Sequence, residues 1–469
     1  MSILECAATC ATQAPAAWRA AVLAAVLATV GCKSNRDAAG AGTTTGSNQP
    51  AAAAAAAACP RDNGGITLPA GFCATVFADD IGHARHVAVA PNGDVYVNTW
   101  SGGYYASSPD KGGFIVAMRD TNRDGKADII ARFGSTKARG GHGGTGIGLH
   151  GGAVYAEEGA TIVRYTLPSS GLAATGAAET VVRGMPLGGD HPMHPFAIDS
   201  SGALFVDMGS ATNSCQEKNR TLQSPGHKPC TELDTRGGIW RFDANKTGQA
   251  FTASARYATG IRNAVGITIG PDGDLYSTQH GRDQLAENWP KLYSAEQGQN
   301  LPAEELLHVQ QGADYGWPEC YFDGSQQKLV LAPEYGGDGK TAGECASKQG
   351  PIASFPAHWA PDGLTFYTGA MFPEHFRGGA FIAFHGSWNR APGPQGGYNV
   401  VFVPFTNGKP SGASTYEVFA NGFAGGKLQP DAAAHRPAGV AQGPDGALYI
   451  TDDKAGRVWR VVYRGGQQP

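Results

Sequence analysis

The sequence predicts an all-β fold, a six-bladed β-propeller with long inserted loops, set behind a signal peptide and a disordered linker. Three observations predict it. Six copies of one strand–turn–strand unit run through the chain, glycine and proline together make up about a fifth of the residues, and six cysteines follow the N-terminal leader.

The repeats carry the architecture. Five are short: residues 86–97 (HVAVAPNGDVYV), 146–156 (GIGLHGGAVYA), 196–206 (FAIDSSGALFV), 265–277 (VGITIGPDGDLYS) and 439–451 (GVAQGPDGALYIT). A longer sixth copy covers 363–384. Each alternates apolar residues, turns at glycine and alternates again, the pattern of a β-hairpin. With Val87, Ile147, Ala197, Gly266, Leu364 and Val440 as markers, the steps are 60, 50, 69, 98 and 76 residues. These exceed the ~40–45 residues of a minimal blade, so loops are inserted. The 68 glycines and 29 prolines follow no collagen period and suit many short strands with tight turns. The formal net charge of −4, without a run of one sign, suggests neither nucleic acid nor an anionic membrane as partner.

The N-terminus reads as an address. An apolar run over 20–30 follows Arg19, too short to span a bilayer and suited to a signal-peptide core. It ends in Thr29-Val30-Gly31-Cys32, which resembles a bacterial lipobox, making 1–32 the signal and Cys32 the lipidation site. Lys33 and Ser34 point to the outer membrane, so the expected location is the periplasmic side, with membrane contact only through the lipid anchor. Residues 33–60, ending in an alanine run, read as a linker, and 61–465 as the propeller.

Cysteine usage agrees with export. Cys59, Cys73, Cys215, Cys230, Cys320 and Cys345 fall into three local pairs, and nearest-neighbour pairing is the simplest connectivity. No CxxC occurs, which argues against zinc, thioredoxin chemistry and covalent haem.

Function must come from loops grafted on this scaffold. The largest interruptions are 207–237 and 279–361. The second holds Gln279-His-Gly-Arg-Asp283, Asn288-Trp-Pro290, Glu304-Glu305 and Asp314-Tyr-Gly-Trp-Pro318, an oxygen-rich set suited to a hard ion such as Ca²⁺. A third segment, 120–128 (DTNRDGKAD), matches the front of a calcium loop, but Ala131 stands where an EF-hand needs Glu, and a polar hairpin turn is the plainer reading.

Gly260-Ile-Arg-Asn263, His280-Gly-Arg-Asp283 and Tyr315-Gly-Trp-Pro318, in that order, resemble the quinoprotein sugar dehydrogenases that use pyrroloquinoline quinone. Phe384-His-Gly-Ser-Trp-Asn-Arg390, Gly209-Ser-Ala-Thr-Asn213 and Arg436-Pro-Ala-Gly439 followed by Asp452-Asp453 resemble its sorbosone and pyranose dehydrogenase branch. The resemblance implies a small sugar or sugar aldehyde as substrate and a histidine base that takes the hydroxyl proton while hydride passes to the quinone. It also implies a Ca²⁺ ion polarising the quinone carbonyl, and a separate electron acceptor, a cytochrome or a quinone. The cofactor's three carboxylates call for Arg262, Arg390 and Arg436, with Asn263, His385, Trp388 and Asn389 as further contacts. The ion is expected at Gly281, Arg282 and Asp283. Relatives carry a Gly-Gly-His-x-x-Arg stretch; here it is Gly188-Gly-Asp-His-Pro-Met-His194, so His191 is assigned as the base and His194 to the arginine's place. His142 and His150 are weaker base candidates. Two other classes share the scaffold: a Ca²⁺-dependent lactonase-type hydrolase and a cofactor-free binding propeller.

Overall fold

The computed structural model describes residues 59–101, 111–135, 144–390, 393–411 and 416–465. The signal peptide, Cys32, the linker up to residue 58 and His142 lie outside the described residues.

Six sheets, called blades 1 to 6 here, make up the propeller, each with its first strand innermost; all pairings are antiparallel except a short parallel edge strand, Gln249–Ala250, on blade 2. Those inner strands are Ala84–Val89, Ile147–His150, Phe196–Ile198, Ile267–Ile269, Pro361–Phe366 and Pro437–Gln442. Every marker residue lies on one of them, except Gly266, which immediately precedes Ile267. The shared PNG and PDG motifs form the same turn in blades 1, 4 and 6. Asn92, Asp272 and Asp445 each accept a backbone N–H from two residues on, and the following Gly93, Gly273 and Gly446 take positive φ.

The ring closes with a strand from the opposite end of the chain. Phe72–Ala78 pairs antiparallel with Val458–Tyr463 and completes blade 6, so both termini hold one sheet. Phe72 is buried against Phe372, Phe376 and Phe419 of blade 5, edge to face at 4.8 to 5.2 Å. Radial repetition leaves each blade only a short outer edge. The three expected disulfides are all formed, Cys59–Cys73, Cys215–Cys230 and Cys320–Cys345, and the first ties residue 59 to the closing strand.

The inserted segments are built as expected with one change. Residues 207–237 join the second and third strands of blade 3. The 279–361 segment is not a single loop: it contains the third and fourth strands of blade 4, Glu304–Val309 and Ala353–Phe355, and a separate hairpin, Cys320–Asp323 with Lys328–Leu331. The sequence pattern hid those strands because Glu304 and Glu305 open the first of them, and both are buried. The 120–128 loop is a polar turn: Asp120, Asn122, Asp124 and Asp128 cap its backbone N–H groups. The six inner strands surround an axial cavity of about 280 Å³, lined by Val87, Ile147, Phe196, Ile267, Leu364 and Val440 among others.

Candidate active site

One face of the propeller collects the segments where inner strands begin and second strands end. Blade 3 supplies His191 and Ser210, blade 4 Arg262, Asn263 and His280, blade 5 Asp362 and His385, blade 6 Arg436 and Asp453, and blade 1 Arg85.

His191 is 8% exposed and held by one ring nitrogen. Its Nδ1 lies 2.8 Å from Ser210 Oγ and 3.0 Å from the Ser210 carbonyl. Ser210 Oγ donates its own proton to the Thr212 carbonyl, so it accepts from Nδ1–H. That leaves Nε2 as the basic nitrogen, without a hydrogen-bond partner among the described residues. Burial, then the nearby Arg262 charge, holds the imidazole pKa well below its ordinary value. Beside it Asn263, 3% exposed, has an Oδ1 with no partner. Gly209 explains how the two fit: a Cβ there would come within 2.6 Å of His191 Cβ and 3.4 Å of Asn263 Oδ1.

Arg262 is a buried anchor. It donates to the Asn213 carbonyl and side chain, to the Gly281 carbonyl at 2.9 Å and to Asp283 at 3.0 Å. Asp283 also receives Arg220 at 2.9 Å and Asn389 at 2.7 Å. Burial raises the Asp283 pKa, but Arg262 and Arg220 outweigh it and hold the carboxyl well below its usual range. Arg282 turns away into a buried pair with Glu334 at 2.5 Å. Of the expected ion ligands, Asp283 is thus engaged with arginines through its side chain, Arg282 with Glu334, and Gly281 with Arg262 through its carbonyl. Among the described residues no group of three or more His, Cys, Asp or Glu is placed to hold a metal, and the Gly281 carbonyl already accepts from Arg262.

A second network lies across the axis. Arg85 meets Asp453 at 2.6 Å and Asp362 at 3.0 Å; His385 meets Asp453 at 2.8 Å and His280 meets Asp362 at 3.1 Å. Burial opposes ionisation of both acids, yet Arg85 and His385 keep both pKa values far down. Burial, helped by the Arg85 charge and opposed by the hydrogen bond to the Asp362 carbonyl, pushes His86 down to about 4.

The other assigned residues divide. Arg436 donates to the carbonyls of His385 and Gly386, and its Nη1 has no acceptor among the described residues. Trp388 stands 56% exposed next to Asn389. Arg390 is directed elsewhere, to the Ala357 carbonyl and Asn300. His194 is buried, with Nε2 on the Pro186 carbonyl and Nδ1 3.6 Å from Glu157. His150 bonds Asn245 beside the hairpin turn of blade 2, at the other end of the inner strand. Sequence reasoning missed Arg85, Asp362, Ser210 and Arg220. Ser210 stood in the quoted GSATN stretch, and Asp362 immediately precedes the sixth repeat copy.

A family model described as TrAA12-like matches residues 66–464. The chain belongs to the TrAA12-like family. A pyrroloquinoline quinone-dependent sugar dehydrogenase of Hypocrea jecorina is 25% identical over 67% of this chain and 73% of its own length. A pyrroloquinoline quinone-dependent pyranose dehydrogenase of Coprinopsis cinerea is 26% identical over 44% of this chain but 31% of its own length. An uncharacterized protein of Borreliella burgdorferi is 32% identical over 44% of this chain and spans about half of that relative, 48%. Among solved structures, the Trichoderma reesei family AA12 enzyme superposes with TM-score 0.67 at 20% identity, covering 85% of this chain and 98% of that one. The holo pyranose dehydrogenase quinone domain of Coprinopsis cinerea gives 0.66 at 20% identity, over 87% and 98%. At those identities the likeness establishes the propeller. The family match bears out the resemblance read from the motifs.

Proposed function

We propose that this TrAA12-like chain is an oxidoreductase that oxidises the anomeric hydroxyl or aldehyde of a small sugar with pyrroloquinoline quinone as hydride acceptor. The observation that carries it is His191, with Nδ1 tethered and Nε2 open beside the unpartnered amide oxygen of Asn263.

The residues fit such a group at this side of the mouth. Asn263 offers an unsatisfied amide, Arg436 a free Nη1 for a carboxylate, and Trp388 an exposed ring. The accompanying Ca²⁺ would share the Gly281 carbonyl oxygen with Arg262, using its second lone pair. When bound, the quinone supplies a two-electron acceptor and the ion polarises it. The protein's part is to orient the sugar so that its hydroxyl proton passes to His191 Nε2, and to keep that nitrogen unprotonated at neutral pH.

Following dye reduction across a sugar panel after adding quinone and Ca²⁺ tests this reading. Turnover that needs both additions supports it. Lactone hydrolysis with Ca²⁺ alone would favour the hydrolase, and silence in both assays a binding propeller. We further propose export to the periplasmic side with a lipid on Cys32, and electrons leaving to a separate cytochrome or quinone. Cys32→Ala should shift the protein from the membrane to the soluble fraction.

A further inference from the structure

We propose that Ser210 is a positioning residue: its hydroxyl and carbonyl oxygens fix His191 in the tautomer that carries the proton on Nδ1 and presents Nε2 to substrate. The inference rests on the reading of His191 as the base, and its geometry is independent of any cofactor.

Three observations carry it. Ser210 Oγ is 2.8 Å from Nδ1 and spends its own hydrogen on Thr212 O at 2.7 Å, so it can only accept from the ring. The Ser210 carbonyl, 3.0 Å away, is an acceptor by nature. Two acceptors at one nitrogen require a proton there. The serine is fully buried and does not turn freely. Its N–H donates to the Arg262 carbonyl at 2.8 Å, and the next two residues are pinned by Glu232, which accepts from the N–H groups of Ala211 and Thr212 at 2.8 and 3.1 Å. Glu232 stands two residues past Cys230, whose bond to Cys215 closes this loop. The disulfide, Glu232, Thr212 and Ser210 therefore form a chain of contacts ending on the base. Both partners of Nδ1 are neutral oxygens, whereas a carboxylate there would stabilise imidazolium. The charges around the ring are Arg262, Asp283, His280 and Arg220.

The test uses protein labelled with ¹⁵N in the histidine rings, with the His191 signal assigned by its loss in His191→Gln. Parent protein without cofactor should show the Nδ1–H tautomer of His191 across neutral pH. Ser210→Ala removes one of the two acceptors and keeps the carbonyl, so it should add a minor Nε2–H population to the Nδ1–H tautomer and lower kcat several-fold with KM unchanged, and Ser210→Thr should restore both. Ser210→Asp should raise the ¹⁵N titration midpoint of His191, and the acid limb of kcat/KM should move with it. An unchanged His191 signal in both Ser210→Ala and Ser210→Asp, with circular dichroism showing folded protein, would overturn the proposal. A normal tautomer shift together with full turnover in His191→Ala would instead remove His191 as the base and leave the lock standing.

Discussion

Asp283 and Arg262 meet at 3.0 Å in the mouth of the propeller, and the pair is nearly dry: the side chains are 14% and 3% exposed. Among the described residues Arg262 has no second carboxylate within ion-pair range. Asp283→Asn therefore leaves a buried guanidinium without its counter-ion, which costs about 3–5 kcal/mol. Denaturant unfolding of Asp283→Asn should show that loss. Arg220→Met should cost less, because the Arg220 side chain is 27% exposed and Asp283 keeps Arg262.

The two outer arginines should separate in a binding titration. Arg436 has a free Nη1 at the mouth, whereas Arg390 is consumed by Ala357 O and Asn300. Arg436→Ala should weaken quinone binding by the worth of a charge-assisted hydrogen bond, about 1.5–3 kcal/mol. Arg390→Ala should change it little and lower thermal stability instead. Equal losses in the two variants would place Arg390 back in the site.

The fold was legible because the blades repeat their own evidence in the sequence: alternation, a glycine-containing turn (Asx-Gly in blades 1, 4 and 6), alternation. The closing strand was not, since Phe72–Ala78 pairs with Val458–Tyr463 from the far end of the chain and no local pattern encodes that partner. The same limit applies to the site. His191, Arg262 and Asn263 sit in motifs and were found, but the Arg85–Asp362–Asp453 network joins three blades, and each member alone looks like a strand-end charge. The assignment of Gly281, Arg282 and Asp283 to an ion read acidic and carbonyl oxygens as ligands; the fold brings arginines to the acid first.

Glu305 should give the protein an alkaline weakness. Its Oε2 has no partner, and burial pushes its pKa from 4.5 up to about 8. Between those values the unfolded chain gives up the proton and the folded chain keeps it. Stability from this group is therefore full below the unfolded pKa and lost as pH rises toward 8, by up to ~1.4 kcal/mol per pH unit. Glu305→Gln keeps an acceptor for Gln279 and removes the titration. Its melting temperature should exceed the parent's at pH 8 and match it near pH 4; a constant difference at all pH values would refute the assignment.

The histidines of the 188–194 stretch should behave as opposites. His191 presents an open Nε2, so His191→Ala should fold, bind quinone and lose about 10²–10⁴ in turnover, the usual contribution of a general base. Because burial and Arg262 depress its pKa, the acid limb of the parent's kcat/KM profile should lie below the ordinary histidine range and vanish in the variant. His194 has both nitrogens turned inward, one on Pro186 O and one facing Glu157, and Glu157 also takes the His194 backbone N–H at 2.9 Å. His194→Ala should therefore open a polar gap between blades 2 and 3 and lower the melting temperature. Its quinone affinity should stay near the parent's, because nothing on that ring reaches the mouth. If His194→Ala instead abolished cofactor binding in a folded protein, the ring would have to turn outward when the site is loaded. His194 would then stand in the place of the arginine that relatives carry there.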